Sequence, residues 1–114
     1  MPSREWKFRL EDILTSIERI ENYAKDLDLE TFSNHTMIVD AVIRNFEIIG
    51  EASNHIPQEI RTQFTDIPWD KMLGMRNVFI HEYFGIDTPT VWYTIAKDLP
   101  PLKKSIQNLL SKIK

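Results

Sequence analysis

Apolar residues recur at helical spacing through the first part of the chain. They fall three or four positions apart, with charged residues between them, at Leu10, Ile13, Leu14, Ile17, Ile20 and Ala24. This spacing is typical of an amphipathic helix that packs one face on a core. It predicts a first helix over about residues 4–26.

A second helical pattern extends to about residue 54 and is apolar on more than one side. Its apolar positions are Ile38, Val39, Val42, Ile43, Phe46, Ile48, Ile49 and Ala52. A helix that is hydrophobic on several sides is buried, so we expect this helix to be central. Ser33 or Asn34 is predicted to cap its start. The stretch before it, residues 28–33, is predicted to be a short polar joint.

Prolines mark the starts of the next two helices. Proline suits the first turn of a helix, where its missing N–H would have no partner within the helix. Pro57 therefore predicts a short helix over about residues 58–64, and Pro68 predicts a helix over about residues 69–83. Gly85 fits the end of the second of these.

Thr88 and Pro89 open a last helix that is interrupted by Pro100 and Pro101. Because proline has no N–H and clashes with the preceding turn, these two residues are predicted to break or kink the helix. Helical spacing resumes at Leu102, Ile106, Leu109 and Ile113. The pattern as a whole predicts an all-α bundle of about five helices in a single domain, residues 1–114.

Composition narrows the possible functions. The 114 residues include no cysteine, which excludes disulfides, thiolate catalysis and cysteine-ligated zinc and fits a cytoplasmic location. No apolar run approaches the length of a membrane span. The formal net charge is −3. Bulk electrostatics therefore will not bind nucleic acid, and any RNA must be held in a local positive cleft or a composite site.

Arg76, Asn77, His81 and Tyr83 place a guanidinium, an amide, an imidazole and a phenol within eight residues. Arginine stabilises phosphate charge, and histidine transfers protons near neutral pH. On a helix, Asn77 and His81 share one face, whereas Arg76 and His81 diverge by roughly 140°. This divergence favours a site shared between two copies of the chain. Spacing alone favours a simpler interpretation: a surface arginine, a buried histidine and a helix-end tyrosine.

The pattern Arg-x4-His-x-Tyr, formed by Arg76, His81 and Tyr83, resembles the signature of HepT-like proteins of the HEPN superfamily. The likeness covers most of the chain, through residues 41–52, 67–69, 91–92 and 98–100. The resemblance implies a HEPN-type helical bundle, a homodimer with its active cleft at the interface, and metal-independent ribonuclease activity. It also implies a toxin role beside an MNT-type nucleotidyltransferase antitoxin, which modifies the motif tyrosine, here Tyr83, with AMP.

The residue chemistry agrees with this implied activity. RNA is cut without metal when a base takes the 2′-hydroxyl proton, an acid protonates the leaving oxygen and a cation stabilises the phosphorane. We assign proton transfer to His81, phosphate charge to Arg76 and orientation to Asn77. One His81 does not easily fill both proton roles, and two protomers provide two.

The remaining residues carry weaker signals. Arg44 and Glu47 are spaced for an ion pair that supports the motif helix, with a direct catalytic role as the alternative. Gly74 would let two motif helices approach closely. The three histidines lack metal-ligand spacing, so we expect no metal and no cofactor. The basic C-terminal helix is expected to be a solvated face, with an RNA-guiding edge as the alternative. The alternative function is a non-enzymatic partner that binds nucleotide or serves as a docking subunit for a nucleotidyltransferase, which the acidic composition favours slightly.

Overall fold

A computed structural model describes residues 3–75, 80–81 and 85–113 of the chain. Within these residues, most of the chain is helical. The helices are α1 (Ser3–Ala24), α2 (Leu29–Asn34), α3 (Thr36–Asn54), α4 (Gln58–Gln63), α5 (Trp69–Gly74), α6 (Thr88–Tyr93) and α7 (Leu99–Lys112). A π-helical turn (Thr94–Asp98) joins α6 to α7, and two short strands, β1 (Ile80–His81) and β2 (Gly85–Ile86), follow α5. The predicted all-α fold is confirmed.

The predicted amphipathic helix and the predicted central helix form the main packed pair. α1 packs extensively against α3 and also contacts α7. The core residues that α1 contributes are Trp6, Leu10, Ile13, Ile17, Ile20 and Ala24. α3 buries residues on a wide face and packs against α5 as well. α3 is therefore the element on which the helix preceding the motif rests.

The predicted polar joint is wrong, because residues 29–34 form helix α2. The Asp28 carboxylate accepts a hydrogen bond from the Thr31 N–H at 2.8 Å and caps the helix. Phe32 is fully buried, with its ring 5.1 Å from that of Trp92. A helix this short is marginal by itself, so burial of Phe32 against the rest of the fold is what stabilises it.

The predicted cap of the central helix is also corrected. Ser33 and Asn34 still belong to α2, and His35 caps α3 by accepting a hydrogen bond from the Ile38 N–H at 3.3 Å on Nδ1. The Ser33 hydroxyl instead donates to Thr88 Oγ1 at 2.9 Å. Ser33 therefore links α2 to the start of α6.

The helix predicted over residues 69–83 is shorter than expected. α5 ends at Gly74, and Ile80 and His81 are extended, paired antiparallel with Ile86 and Gly85. β-Branched and aromatic residues favour extended backbone, and Val78, Phe79 and Ile80 form such a run. Gly85 adopts φ +81°, a left-handed conformation that glycine accommodates without strain. Helical face relationships therefore do not apply at His81.

The predicted interruption near Pro100 and Pro101 is confirmed as the π-helical turn. Neither proline has an N–H to donate to a carbonyl four residues earlier, so the preceding turn widens. The Leu99 N–H donates to Thr94 O, five residues back. Both prolines then lie in the first turn of α7, where the missing N–H is tolerated.

Within the described residues, no helix is long and apolar enough to cross a membrane.

Candidate functional site

Helix α5 leads directly into the motif, and its position is fixed by burial and hydrogen bonding. The Trp69 indole N–H donates to Phe64 O at 3.0 Å, and Trp69 is buried. Met72 and Met75 are also buried, and the Met75 N–H donates to Met72 O at 3.1 Å. The backbone that continues into Arg76 therefore starts from an anchored point.

The chain is anchored again after the motif. Asp87 caps α6, with one carboxylate oxygen accepting from the Thr90 N–H at 3.2 Å and the other from the Thr90 hydroxyl at 2.8 Å. Just before it, Gly85 and Ile86 pair with β1. The motif thus lies between two anchored segments, α5 and the start of α6.

Arg76, Asn77 and Tyr83 lie outside the described residues. For His81 the structure gives the backbone, which belongs to β1 opposite Gly85. The roles assigned to these four residues, and their arrangement around a substrate, therefore stay predictions.

The predicted pair of Arg44 and Glu47 is present, with 3.8 Å between guanidinium and carboxylate. It lies in a groove of about 460 Å³ between α1 and α3, which Arg9, Asp12 and Glu51 also line. Acidic groups outnumber basic ones there, so this groove does not suit a phosphate. The Arg44 side chain is 71% exposed, and its supporting role toward the motif stays a prediction.

The other two histidines have local structural contacts. His35 caps α3, and His55 Nε2 lies 3.3 Å from Glu51 Oε2 one turn earlier. In the part of the chain that the structure describes, no cluster of three or more His, Asp or Glu side chains is arranged to hold a metal ion.

The basic C-terminal helix is partly tied to the fold by an ion pair. Lys103 Nζ lies 2.9 Å from Glu21 Oε1 on α1. The hydrogen bond and charge of Glu21 raise the pKa of Lys103. Lys103 is therefore not a free cation for an RNA-guiding edge.

A second polar groove, beside α5, was missed by sequence reasoning. It has a volume of about 410 Å³ and lies between α4 and α5; we call it the α4–α5 groove, and its polar lining is Gln58, Arg61, Thr62, Thr65, Asp70 and Lys71. The available sequence signal was a short segment, bracketed by Pro57 and Pro68, that carries an arginine and two threonines.

Comparison with known proteins decides the family. The family model described as "Ribonuclease HepT-like" matches residues 13–109, which include the whole motif. The chain belongs to the HepT-like ribonuclease family. The resemblance found in the motif is thereby confirmed at the level of the family.

Its relatives in this family match nearly end to end. A Methanocaldococcus jannaschii protein provisionally named as an RNase is 44% identical over 107 residues, covering 94% of this chain and 98% of the relative. A Thermococcus cleftensis protein provisionally named ribonuclease HepT is 42% identical over 106 residues, covering 93% of this chain and 96% of the relative. No solved structure is a significant match.

Proposed function

We propose that this HepT-like chain is an RNA endonuclease that works without a metal ion, with Arg76, Asn77 and His81 as its catalytic residues. The observation that carries the proposal is the family match across residues 13–109, in which the complete motif lies. The relatives' names as RNases support RNA as the substrate. The side chains of the motif match the chemistry that RNA cleavage requires.

In this mechanism the 2′-oxygen of the ribose attacks the adjacent phosphorus while its proton passes to a base. The P–O bond to the 5′-oxygen breaks, and an acid delivers a proton to that oxygen, so the products are a 2′,3′-cyclic phosphate and a free 5′-hydroxyl. Neutral imidazole serves as the base and imidazolium as the acid. Arg76 stabilises the added negative charge on the phosphorane, and Asn77 orients His81 or the phosphate.

The active form in this proposal is a homodimer with its cleft at the interface. The helical divergence of Arg76 and His81 no longer argues for it, because His81 is on an extended segment. The chemistry still favours a dimer, because two proton-transfer groups are needed and each chain supplies one motif histidine. A two-fold interface would bring the second His81 to the same cleft.

Cleavage of a labelled RNA by purified protein in excess chelator tests the nuclease proposal. His81→Ala should lose roughly two to four orders of magnitude in rate, the usual loss for a general acid–base residue. Arg76→Ala should also be inactive. His55→Ala is the matched control, because His55 contacts Glu51 on the surface of α3. Abolition of cutting by chelator, or normal cutting by His81→Ala, would contradict the mechanism.

We further propose that the chain is the toxin of a pair whose MNT-type nucleotidyltransferase antitoxin adds AMP to Tyr83. The adduct would place a negative phosphodiester close in sequence to Arg76, where it competes for the guanidinium and repels RNA. Intact mass after incubation with the neighbouring nucleotidyltransferase and ATP tests this. An adduct that persists in Tyr83→Phe would eliminate Tyr83 as the acceptor. An adduct on a chain that never cuts RNA would support the docking-partner alternative.

A further inference from the structure

We propose that the α4–α5 groove is a subsite for the phosphodiester backbone of the RNA strand, with Arg61 as its main phosphate contact. This inference rests on the proposed function and extends it by giving the strand a path beyond the motif. It concerns binding and assigns no part of the chemical step to the groove.

Arg61 has no carboxylate partner within 4 Å among the described residues. Its Nε is buried and has no hydrogen-bond partner. Arg44, Lys71 and Lys103, by contrast, each have an acidic partner within 4 Å. A guanidinium without an ion-pair partner keeps donors for a ligand, and its fork geometry suits phosphate oxygens.

The groove lining is mostly polar. Thr65 and Gln58 supply exposed polar groups for phosphate or ribose oxygens, whereas Ile67 and Trp69 are buried beneath the lining. A volume of about 410 Å³ is within the usual range for small-ligand sites. A mostly apolar surface would suit a protein partner better than a nucleotide chain.

Charge in the groove differs from that in the α1–α3 groove, where acidic groups outnumber basic ones. Arg61 and Lys71 accompany one lining carboxylate, Asp70. Lys71 is in addition paired with Asp98 at 3.4 Å. Arg61 is therefore the lining cation that has no ion-pair partner in the described part of the chain, and the phosphate contact is assigned to it.

Helix α5 connects the groove to the segment that leads into the motif. It forms one wall of the groove at its first residues, Trp69 to Lys71, and ends at Gly74, two residues before Arg76 in the sequence. Six helical residues span about 9 Å at 1.5 Å per residue. The groove therefore lies about one short helix away from the residue at which the chain turns toward the motif.

The test measures RNA binding in a His81→Ala background, so that the oligonucleotide stays intact. The dissociation constant of a labelled single-stranded RNA is measured at several salt concentrations for the parent, Arg61→Gln and Arg61→Lys. Loss of one phosphate contact should lower the slope of log affinity against log salt by about 0.7. Arg61→Lys should keep most of the slope. Arg19→Gln, an exposed arginine on α1, is the control for the same change in net charge.

A second pair of variants guards against misfolding, because Arg61 is half-buried. Thr65→Glu adds a negative charge at the exposed edge of the groove and should weaken RNA binding several-fold. Thr15→Glu places the same charge on the exposed face of α1 and should have little effect. Circular dichroism melts confirm that each variant is folded.

The two proposals fail in distinguishable ways. Suppose that the wild-type chain cuts RNA, that Arg61→Gln keeps the parent's salt dependence of affinity, and that Thr65→Glu binds RNA as well as Thr15→Glu does. The subsite is then refuted, and the nuclease proposal stands. If the wild-type chain neither binds nor cuts RNA, both proposals fall. If Arg61→Gln alters the oligomeric state without changing the salt slope, the groove is a protein interface and the inference is wrong.

Discussion

Lys71 Nζ lies 3.4 Å from Asp98 Oδ1 and joins α5 to the last residue of the π-helical turn. The two residues are 27 positions apart in the chain, one before the motif and one after it. The side chains are 57% and 33% exposed. An ion pair this accessible to water adds little stability, so its main effect is to favour one placement of α5 relative to α7.

Breaking this ion pair should cost little in unfolding free energy. We expect Lys71→Met and Asp98→Asn each to lower the unfolding free energy by about 0.2–1 kcal/mol, with the double variant showing no further loss. Urea denaturation of wild type, the two single variants and the double variant gives the coupling free energy between Lys71 and Asp98. Screening by salt should reduce it, and a coupling that is unchanged in molar salt would argue against an ionic origin.

The contact between Phe32 and Trp92 should matter far more. Phe32 is fully buried and its ring faces Trp92 at 5.1 Å, so Phe32→Ala leaves a cavity and loses the aromatic contact. We expect a loss of about 3–5 kcal/mol. Tyr93→Ala is the matched control, because Tyr93 is 61% exposed and should change stability by no more than about 0.5 kcal/mol. If thermal melts showed the same loss of stability for Phe32→Ala and Tyr93→Ala, α2 would not depend on tertiary packing.

Asp28 should make the stability of the chain depend on pH. The hydrogen bond from the Thr31 N–H holds the pKa of the Asp28 carboxyl below its usual range. The stability that this hydrogen bond gives the folded chain is therefore complete above the unfolded pKa of about 3.9. It is lost as the pH falls through the lower pKa of the folded state.

The comparison that isolates this effect uses two variants. Asp28→Ala should be less stable than wild type at neutral pH, and the gap should shrink in acid. Asp28→Asn keeps a capping oxygen that does not titrate. The difference in unfolding free energy between Asp28→Asn and Asp28→Ala should therefore not follow the titration of the Asp28 carboxyl. Chemical denaturation between pH 2 and 7 gives the three curves, and a gap between wild type and Asp28→Ala that widens in acid would contradict the prediction.

Gly74 offers a test of the proposed dimer. Among the described residues, nothing lies within 4 Å of a Cβ built at this position. Gly74→Ala should therefore raise the stability of an isolated chain by about 0.5–1 kcal/mol. Gly74→Leu should dissociate the dimer if the two copies approach closely at α5, which light scattering would show. Gln107→Leu, exposed on α7, is the control. A dimer that survives Gly74→Leu would place the interface elsewhere.

The sequence by itself determined the features that depend on neighbouring residues. Helical spacing of apolar side chains located α1 and α3, and prolines located the starts of α4, α5 and α6. The missing N–H of two adjacent prolines predicted a break or kink near Pro100, and the structure has a π-helical turn just before it. Arg76, His81 and Tyr83, together with the likeness over residues 41–52, 67–69, 91–92 and 98–100, also indicated the family, because each of these motifs is a local pattern.

Tertiary structure decided what depends on residues far apart in the chain. Residues 29–34 became helical because Phe32 is buried against Trp92. Tertiary structure also decided which cations form ion pairs. Lys103 pairs with Glu21, 82 residues away in the chain, whereas Arg61 pairs with no carboxylate in the described part of the chain. Sequence spacing cannot supply these relations, because each one exists only after the helices have packed.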